Sequence, residues 1–335
     1  MNLRVLIKHI SIIRLLNFIK VYFSFHVSRL LKLNLQFGFP ISVSIEPTTS
    51  CNLRCPECPS GLRTFQRETG MLQKDLFIEV INQIHSKTSY LTFYFQGEPY
   101  LNPDFLDMVK YAVNKKLFTS TSTNGHYLNN ENILKTIESG LNQLIISIDG
   151  TTQEIYEQYR IGGNLSKVIE GAKNIVNQKK KLKSKTPHVI FQFLVVKPNE
   201  HQIKDIEYLA KEIGVDELRF KTAQIYNYEN GNILIPQNEN YSRYIKGKNG
   251  KWRLKNEIKN ECWRMWSSCV ITWDGKIVPC CFDKDAKYNM GSITKKTFSE
   301  IWKSEEYNFF RRKILKTRNE IDICKNCSEG TTIHI

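Results

Sequence analysis

The sequence predicts an α/β fold in which a parallel sheet, curled or open, is followed by a smaller cysteine-rich segment. Two observations support this prediction. After Pro40, short runs rich in β-branched and aromatic residues alternate with longer runs of helical spacing, and strands joined through helices run parallel. Gly140 and Gly214 stand where two of these helices would end, as C-terminal caps. With 335 residues, 41% hydrophobic and 24% charged, the chain can bury a large core in one or two domains.

Six strands and five helices alternate in this prediction. The strands are expected at residues 41–46, 91–96, 118–123, 143–148, 189–196 and 218–221. The helices are expected at residues 74–85, 103–115, 130–139, 165–181 and 202–213, with Pro103 in the first turn of the second. Short motifs close the first four strands: the cysteine-rich stretch 48–60, QGEP at 96–99, STNG at 122–125 and SIDG at 147–150. Because α/β sheets bind ligands beyond the carboxyl ends of their strands, these motifs predict one site on one rim.

The N-terminal segment, residues 1–38, is basic and amphipathic. No acidic residue precedes Glu46, and basic residues interrupt every apolar window, whereas a membrane span needs about 20 apolar residues. Leu6, Ile10 and Ile13 share one side of a helix, and Arg4, Lys8 and Ser11 share another. This pattern is typical of a helix that lies in a membrane interface, and equally of one that packs on the protein itself. No apolar core is followed by a small-residue cleavage site, so we do not predict a cleavable signal peptide.

The formal net charge is +15, but the lysines are spread along the chain, so we do not predict a nucleic-acid partner. A basic surface suits an acidic electron donor of the flavodoxin or ferredoxin type, or an anionic membrane. Nine cysteines are too few for a secreted disulfide scaffold of this length. Their clustering indicates reduced, metal-binding thiols in the cytoplasm, with a peripheral position on the inner face of the membrane as a further expectation.

The first cysteine cluster, Cys51, Cys55 and Cys58, follows the first predicted strand directly. A structural zinc site is normally closed by four protein ligands, and an iron-sulfur cube that only carries electrons also takes four thiolates. Three thiolates would leave one iron of a cube open to bind a small molecule. The spacing therefore predicts a reaction centre at the carboxyl end of this strand.

This cluster, together with the Gly97-Glu98-Pro99 turn after the second strand, resembles the radical S-adenosylmethionine (SAM) superfamily. The resemblance covers residues 41–225 and implies a partial (βα)6 TIM-like barrel as the radical SAM core, residues 39–225. In that family the open iron of a [4Fe-4S] cluster binds SAM, whose reductive cleavage gives a 5′-deoxyadenosyl radical that abstracts hydrogen from a substrate. The resemblance therefore implies an enzyme.

The same resemblance assigns roles to individual residues. Cys51, Cys55 and Cys58 would bind the cluster, Gly97 and Glu98 would present backbone groups to the SAM ammonium, Asn124 would contact the ribose, and Ser147 and Arg160 would hold the SAM carboxylate. Two positions depart from the family pattern. The residue before the third cysteine, commonly aromatic and close to the adenine, is Glu57, and the second motif begins Gln96-Gly97 where Gly-Gly is common. Neither departure affects the cluster ligands.

The C-terminal segment, residues 261–335, follows a polar connecting region at 226–260 and contains six of the nine cysteines. Its stretches CWRMWSSCVITWDGKIVPCC (262–281) and CKNC (324–327) resemble the SPASM or twitch extensions of radical SAM enzymes, with a hairpin turn at 273–275 and a helix at 298–312. A full SPASM domain has further cysteines after its CxxC motif, and none follows Cys327. We therefore expect one auxiliary [4Fe-4S] cluster on Cys262, Cys280, Cys324 and Cys327. Cys269 and Cys281 are spare, although either could replace a neighbour, and a zinc ion on the same four cysteines is the alternative.

The expected reaction is oxidation of a sugar or cyclitol, or of a peptide, with the auxiliary cluster as electron acceptor. A redox-neutral epimerisation or rearrangement is an alternative, and a non-catalytic iron-sulfur or zinc protein is a third. The sequence does not identify the substrate or the acid and base residues, for which Tyr94, Lys221 and Tyr226 are only guesses.

Overall fold

A mostly parallel sheet of nine strands is the centre of the part of the chain that the computed structural model describes, residue 9 and residues 11–327. The strands in chain order are β1 (Ser42–Ile45), β2 (Tyr90–Thr92), β3 (Phe118–Thr123), β4 (Gln143–Ser147), β5 (His188–Val195), β6 (Glu217–Thr222), β7 (Tyr244–Lys246), β8 (Trp252–Leu254), β9 (Ser268–Ile271), β10 (Lys276–Val278) and β11 (Gly291–Ser292). The order in the sheet is β11-β10-β9-β1-β2-β3-β4-β5-β6, while β7 and β8 form a separate antiparallel pair.

Strands β1 to β6 are parallel and adjacent in chain order, as the alternating pattern predicts. All five residues of β4 are buried, so both faces of the sheet are covered there, which is typical of a central parallel strand. The α/β fold with a partial (βα)6 arrangement is therefore confirmed. Strand β2 is shorter than the predicted 91–96, because the chain leaves the ladder after Thr92 and turns through Gly97 at a φ of +73°.

The helices in chain order are α1 (Ile12–Leu31), α2 (Pro59–Leu62), α3 (Lys74–Ile84), α4 (Phe105–Asn114), α5 (Asn130–Glu138), α6 (Gln153–Tyr159), α7 (Leu165–Lys181), α8 (Ile203–Ile213), α9 (Arg264–Ser267), α10 (Phe298–Trp302), α11 (Glu305–Thr317) and α12 (Asp322–Lys325). The five predicted core helices, now α3, α4, α5, α7 and α8, are close to their predicted bounds, and further helices are present. The prediction that Pro103 lies in the first turn of its helix was wrong. The backbone N–H of Asp104, the N-cap of α4, donates to the Asn102 side chain at 2.9 Å, so that helix begins after Pro103. Gly140 and Gly214 follow α5 and α8 in left-handed conformations, at φ of +74° and +78°.

The C-terminal segment joins the same sheet. Strand β9 pairs in parallel with β1, placing Ser268 opposite Ser42 and Ile271 opposite Ile45. The predicted hairpin is present as β9 and β10, and Gly275 occupies its turn at a φ of +80°. The predicted helix at 298–312 is divided into α10 and α11, because the Ser304 hydroxyl accepts the N–H of Tyr307 at 3.3 Å and so starts a new helix.

A buried ion pair fastens the C-terminal segment to the core. The Arg67 guanidinium donates two hydrogen bonds to the Glu46 carboxylate, at 2.8 and 2.5 Å, and both side chains are almost fully buried. Glu46 also accepts the N–H of Trp273 at 3.3 Å, and Arg67 donates to the carbonyl of Lys284 at 2.9 Å. The pair thus links the end of β1 with the β9-β10 hairpin and the loop after it.

The N-terminal helix α1 begins at Ser11, whose hydroxyl accepts the N–H of Arg14, and ends at Lys32, which has a φ of +54°. Among the described residues, no helix combines the length and apolarity that a bilayer span requires. The predicted placement of Arg4, Leu6, Lys8 and Ile10 lies outside the described residues.

Candidate functional site

A cavity of about 210 Å³ lies at the carboxyl ends of the parallel strands. It is lined by all eight residues that the sequence assigns to the first cluster and to SAM: Cys51, Cys55, Cys58, Gly97, Glu98, Asn124, Ser147 and Arg160. Residues that the sequence did not single out also line it, among them Ser60, Tyr159, Gln192 and Leu194. The four strand-end motifs thus meet at one rim, as their positions in an α/β sheet predict.

The cysteine loop is held tightly by its own backbone and by the loop after α6. Cys58 is the N-cap of α2, and its N–H donates to the carbonyl of Cys55 at 3.3 Å. The N–H of Arg54 donates to the carbonyl of Ile161 at 3.0 Å. A Cβ on Gly61 would lie 2.6 Å from the Cys55 nitrogen, so only glycine allows this approach. The three thiols are therefore fixed relative to the rim.

Polar side chains approach each of the three sulfur atoms. The Asn124 amide nitrogen is 3.9 Å from Cys51 Sγ, Arg160 Nη1 is 3.8 Å from Cys55 Sγ, and Cys58 Sγ is 3.9 Å from Gln96 Oε1. Burial raises the pKa of Cys51 to about 11 and also raises the pKa of Cys55, although Arg160 opposes the second shift. Without metal the Cys51 and Cys55 thiols are favoured over their thiolates, so iron that binds there must displace their protons. Three sulfur donors with N–H groups directed at two of them fit an anionic iron-sulfur cluster.

The Gly97-Glu98 turn is packed against the start of the cysteine loop. A Cβ on Gly97 would lie 2.2 Å from the carbonyl oxygen of Thr48, so the turn requires glycine. The N–H of Gly97 donates to Ser60 Oγ at 2.9 Å and that of Glu98 to the carbonyl of Ser50 at 2.8 Å. An ammonium group binds to hydrogen-bond acceptors. The backbone carbonyl oxygens of this turn are acceptors of that kind.

The side chain of Glu98 has a role that the sequence did not predict. It is buried, and its carboxylate accepts hydrogen bonds from the Thr123 hydroxyl at 2.7 Å and from the N–H of Asn124 at 2.8 Å. Burial raises the pKa of Glu98 to about 7 in spite of these donors. This carboxyl group therefore joins the second and third strand-end motifs.

Arg160 follows α6 and lies between a carboxylate and the cysteine loop. Its Nε donates to Asp149 Oδ2 at 2.5 Å, while the other Asp149 oxygen accepts the N–H of Leu194 at 2.8 Å. Burial would lower the pKa of Arg160, but the negative charge of Asp149 raises it well above its usual value. Asp149 was inside a predicted motif, yet its pairing with Arg160 had no sequence signal, because the two residues meet only in the folded chain.

Ser147 and Asn124 lie where the sequence places them, at the ends of β4 and β3. Ser147 Oγ is 3.4 Å from Ser122 Oγ, and the Asn124 amide donates to Asn52 Oδ1 at 2.8 Å. Glu57, the departure from the family pattern, accepts the N–H of Tyr226 at 3.0 Å. It therefore binds the connecting region and does not supply the usual aromatic contact.

The connecting region forms an apolar cover over the cysteine loop. Leu234, Ile235, Tyr244 and Leu254 are buried in one cluster with Leu53, Cys55 and Tyr159. The Tyr244 hydroxyl accepts the N–H of Ile225 at 2.8 Å and donates to Asn326 Oδ1 at 2.9 Å. Since Asn326 lies within CKNC, Tyr244 connects the cover of the first cysteine set with the second set.

Four cysteines in the C-terminal segment form a second set of sulfur donors: Cys262 before α9, Cys280 after β10, Cys324 in α12, and Cys327 after it. Burial raises the pKa of Cys324 to about 12, with Arg318 opposing this shift and Cys262 and Cys327 adding to it. Burial likewise raises the pKa of Cys280, and Cys281, Cys262 and Cys327 raise it further. Coulombic effects among these thiols contribute to both shifts. Among the described residues, no group of three His, Cys, Asp or Glu side chains is arranged to hold a single metal ion, in this set or in the first. The chemistry of four thiol donors suits an iron-sulfur cluster.

Arg318 is a buried neighbour of this set that the sequence did not predict. Its Nη2 is 3.6 Å from Cys327 Sγ, and its Nη1 donates to the carbonyl of Glu261 at 2.6 Å, beside Cys262. Cys269, by contrast, is buried in the hydrophobic core opposite Val43. Cys281 packs against a small apolar group of Phe95, Val270 and Val278, and lies 3.9 Å from Arg264 Nη1. That Cys269 and Cys281 are the spare cysteines stays a prediction.

Comparison with known proteins identifies both parts of the chain. The model of the radical SAM superfamily matches residues 45–213, and that of the SPASM iron-sulfur cluster-binding domain matches residues 262–328. The tungsten-containing aldehyde ferredoxin oxidoreductase cofactor-modifying protein of Pyrococcus furiosus is 26% identical, over 85% of this chain and 86% of its own length. PqqA peptide cyclase of Gluconobacter oxydans is 24% identical, over 81% and 79%.

Among solved structures, Streptococcus suis SuiB bound to S-adenosylmethionine covers 90% of this chain and 74% of its own, with a TM-score of 0.65 and 16% identity. The same enzyme has also been solved with its precursor peptide SuiA. These findings support a SAM-binding [4Fe-4S] cluster in the core and iron-sulfur, in place of the alternative zinc, in the C-terminal domain. They also exclude the non-catalytic alternative. The chain belongs to the radical SAM superfamily and is an enzyme with a C-terminal SPASM domain.

Proposed function

We propose that this enzyme oxidises a side chain of a peptide or protein substrate, with one auxiliary cluster as the electron acceptor. The observation that supports a polymeric substrate most directly is a groove of about 640 Å³ between the core and the C-terminal domain. Pro59 and Leu62 line it directly after Cys58, and Ile323 and Asn326 line it beside Cys324 and Cys327. A segment of polypeptide in this groove would lie against both cysteine-bearing segments.

Polar and charged residues, including Asp283, Lys284, Asp285 and Asp322, line the groove beside the apolar side chains of Leu62, Phe282 and Ile323. The polar groups suit the amide bonds of a peptide, which need hydrogen-bond partners when they lose water. The similar proteins support this class, because one is a peptide cyclase and SuiB has been solved bound to a precursor peptide.

When bound, SAM and the first cluster would supply a radical that takes one hydrogen atom from the substrate. A cluster on Cys262, Cys280, Cys324 and Cys327 would accept one further electron, and the substrate would release one further proton. Substrate thus loses two hydrogens in total, while one electron enters from an outside donor. The basic surface suits an acidic flavodoxin or ferredoxin as this donor.

We propose that the residues on the rim position and shield this chemistry. Cys51, Cys55 and Cys58 hold the first cluster, the carbonyl groups of Gly97 and Glu98 accept the SAM ammonium, and Asn124 contacts the ribose. Ser147 and Arg160 hold the SAM carboxylate, and Asp149 orients the guanidinium for that contact. The apolar cover of the connecting region keeps water from the cysteine loop. Cys262, Cys280, Cys324 and Cys327 hold the auxiliary cluster. The reaction takes place in the cytoplasm, at the inner face of a membrane.

The test uses anaerobically reconstituted enzyme with SAM, dithionite and the short peptides or proteins encoded beside its gene. We expect 5′-deoxyadenosine and a substrate that becomes lighter by two hydrogens. The Cys280→Ser, Cys324→Ser variant should still form 5′-deoxyadenosine but should not oxidise the substrate. An unchanged substrate mass with hydrogen exchanged from solvent would establish epimerisation in place of oxidation, and oxidation of sugars alone would exclude the peptide class.

A groove variant separates substrate recognition from cleavage of SAM. Leu62 lines the groove and is half-exposed, whereas Leu134 on α5 is comparably exposed but does not line it. We expect Leu62→Glu to raise KM for the peptide at least tenfold without changing the substrate-independent formation of 5′-deoxyadenosine, and Leu134→Glu to change neither. Equal KM values for the two variants would contradict the proposed binding groove.

A further inference from the structure

Helix α1 turns its polar face toward the protein and its apolar face outward, which is the reverse of a helix that packs on a globular core. Four of its six buried residues are polar: Arg14, Asn17, Ser24 and Ser28. Its apolar residues are exposed instead, namely Ile12, Ile13, Leu15, Leu16, Ile19 and Phe23 in the first part and Leu30 and Leu31 at the end. A core-packed helix turns its apolar stripe inward, so this exposed stripe calls for a partner.

Specific hydrogen bonds fix this orientation. The Arg14 guanidinium donates to the carbonyls of His85 and Lys116, at 2.7 and 2.5 Å. The Asn17 amide donates to the carbonyl of Phe39 at 2.9 Å and accepts the N–H of the same residue at 2.8 Å. Rotating the helix to bury its apolar stripe would break all of these bonds and leave several backbone groups unpaired. The polar face therefore fastens the helix, and the apolar face points outward.

The residues that α1 contacts show which end of the molecule it covers. Phe39 precedes β1, His85 precedes β2 and Lys116 precedes β3, so these contacts lie at the amino ends of the strands. Trp266, whose indole donates to the carbonyl of Leu35 at 2.8 Å, likewise precedes β9. The cavity with the three cysteines lies at the carboxyl ends. The exposed apolar stripe and the active site are therefore on opposite ends of the sheet.

The charges around the stripe distinguish between partners. Lys20 and Lys32 are exposed on α1 and just after it, and residues 11–45 contain no acidic side chain. Lys115 and Lys116 line a cavity of about 420 Å³ beside the start of the helix. A second copy of this chain would bring like charges together, whereas anionic phospholipid headgroups would meet them with opposite charge.

We propose that α1 docks this enzyme on an anionic phospholipid bilayer, with the active-site end directed away from the membrane. This deepens the proposed membrane position, but it does not depend on the reaction. The apolar side chains enter the interface, while Lys20 and Lys32 contact headgroups at its edge. Because the catalytic cavity faces the opposite way, the substrate reaches it from the aqueous side and need not be embedded in lipid.

The test is sedimentation of the full chain with vesicles made of equal parts phosphatidylcholine and phosphatidylglycerol, or of phosphatidylcholine alone. We expect binding to the anionic vesicles that weakens with salt, and at least tenfold weaker binding to the neutral ones. The variant Leu16→Glu, Ile19→Glu, Phe23→Glu should lose at least tenfold in binding. The matched control Leu134→Glu, Tyr208→Glu, Ile233→Glu changes exposed apolar residues on other elements and should stay within twofold of the unaltered protein.

Two further measurements make the outcome decisive. Lys20→Gln and Lys32→Gln should each weaken binding to the anionic vesicles about fivefold at low salt. Circular dichroism and 5′-deoxyadenosine formation should be unchanged in every variant, which excludes unfolding as a cause. Vesicle binding that the α1 variant retains, or no binding by the unaltered protein, would overturn the proposal. A lipid-free dimer in sedimentation velocity that the α1 variant dissociates would also overturn it, and would identify a second copy as the partner.

Discussion

The buried Arg67–Glu46 pair makes a quantitative prediction about how the two domains are held together. The substitution Arg67→Met keeps most of the side-chain volume but leaves the Glu46 carboxylate buried without a cation. Both side chains are shielded, with exposures of 6% and 0%. Removing one partner of such a pair costs about 3–5 kcal/mol, because the remaining charge keeps its desolvation penalty. We therefore expect Arg67→Met to lower the free energy of unfolding by about 3–5 kcal/mol at pH 7.

An exposed ion pair in the same chain supplies the control. Lys74 and Asp107 approach to 2.8 Å, but their side chains are 43% and 63% exposed. Because solvent screens such pairs, Lys74→Met should leave the free energy of unfolding close to that of the unaltered chain. The assay is urea unfolding of the metal-free protein, followed by circular dichroism, with the two variants and the unaltered chain measured side by side.

The pH dependence gives the same prediction a second readout. Burial already raises the pKa of Glu46, and Arg67 opposes that shift. Without Arg67 the folded-state pKa must rise further above the unfolded value, so the variant should become relatively more stable as the pH falls from 7 toward 5. The free energy of unfolding of Arg67→Met could instead stay within about 1 kcal/mol of that of the unaltered protein, or equal that of Lys74→Met. Either result would refute the role of the Arg67–Glu46 pair in holding the two domains together.

Three further predictions follow from the two cysteine sites. Arg160→Lys keeps a positive charge beside Asp149 but loses the planar guanidinium, so SAM should bind about 10- to 100-fold more weakly in equilibrium titration. The control Arg219→Lys changes a part-exposed ion pair and should bind SAM normally. Equal affinities of the two variants for SAM would contradict the assignment of Arg160. Burial raises the pKa of Glu98 from 4.5 to about 7, so the folded protein keeps a proton that the unfolded chain releases. As the pH rises from 4.5 to 7, the free energy of unfolding of the metal-free protein should therefore fall by about 3 kcal/mol. Urea unfolding across this range should show that slope, and Glu98→Gln should lack it; identical slopes would refute the shift. Cys280→Ser should lose half of the iron bound after reconstitution and Cys269→Ser none, as measured by iron and sulfide analysis, and the reverse result would exchange their roles.

Much of the core could be predicted because its sequence pattern is local. The alternation of apolar runs with helical spacing located β1 to β6 and five of the helices between them, and the bounds of α7 agree at both ends. The short helices α2 and α6 were not predicted. The motifs at the strand ends identified the rim, since all parallel strands end on the same side. The length of β2 and the start of α4 were missed, because Gly97 and Asn102 make turns that depend on tertiary contacts.

Other features could not be predicted from local pattern. The pairing of β9 with β1 joins distant parts of the chain, and each strand is only four residues long, too short to carry a register signal. The Asp149–Arg160 and Glu46–Arg67 pairs, and the side-chain role of Glu98, are likewise contacts between residues on different elements. The orientation of α1 was left open between a membrane interface and the body of the protein. Hydrophobic periodicity locates the stripe on a helix, but it does not say whether that stripe turns inward or outward.

We propose that Cys51, Cys55 and Cys58 hold a cluster whose fourth iron is open to SAM. The four cysteines Cys262, Cys280, Cys324 and Cys327 hold a second cluster. Electron paramagnetic resonance of the dithionite-reduced, reconstituted protein with and without SAM tests this most directly, in the unaltered chain and in the Cys51→Ala, Cys55→Ala, Cys58→Ala variant. We predict two [4Fe-4S] signals in the unaltered protein, one of which changes when SAM is added, and a single signal insensitive to SAM in the variant. Signals that SAM leaves unchanged in the unaltered protein, or a silent variant that retains one zinc ion, would contradict the account.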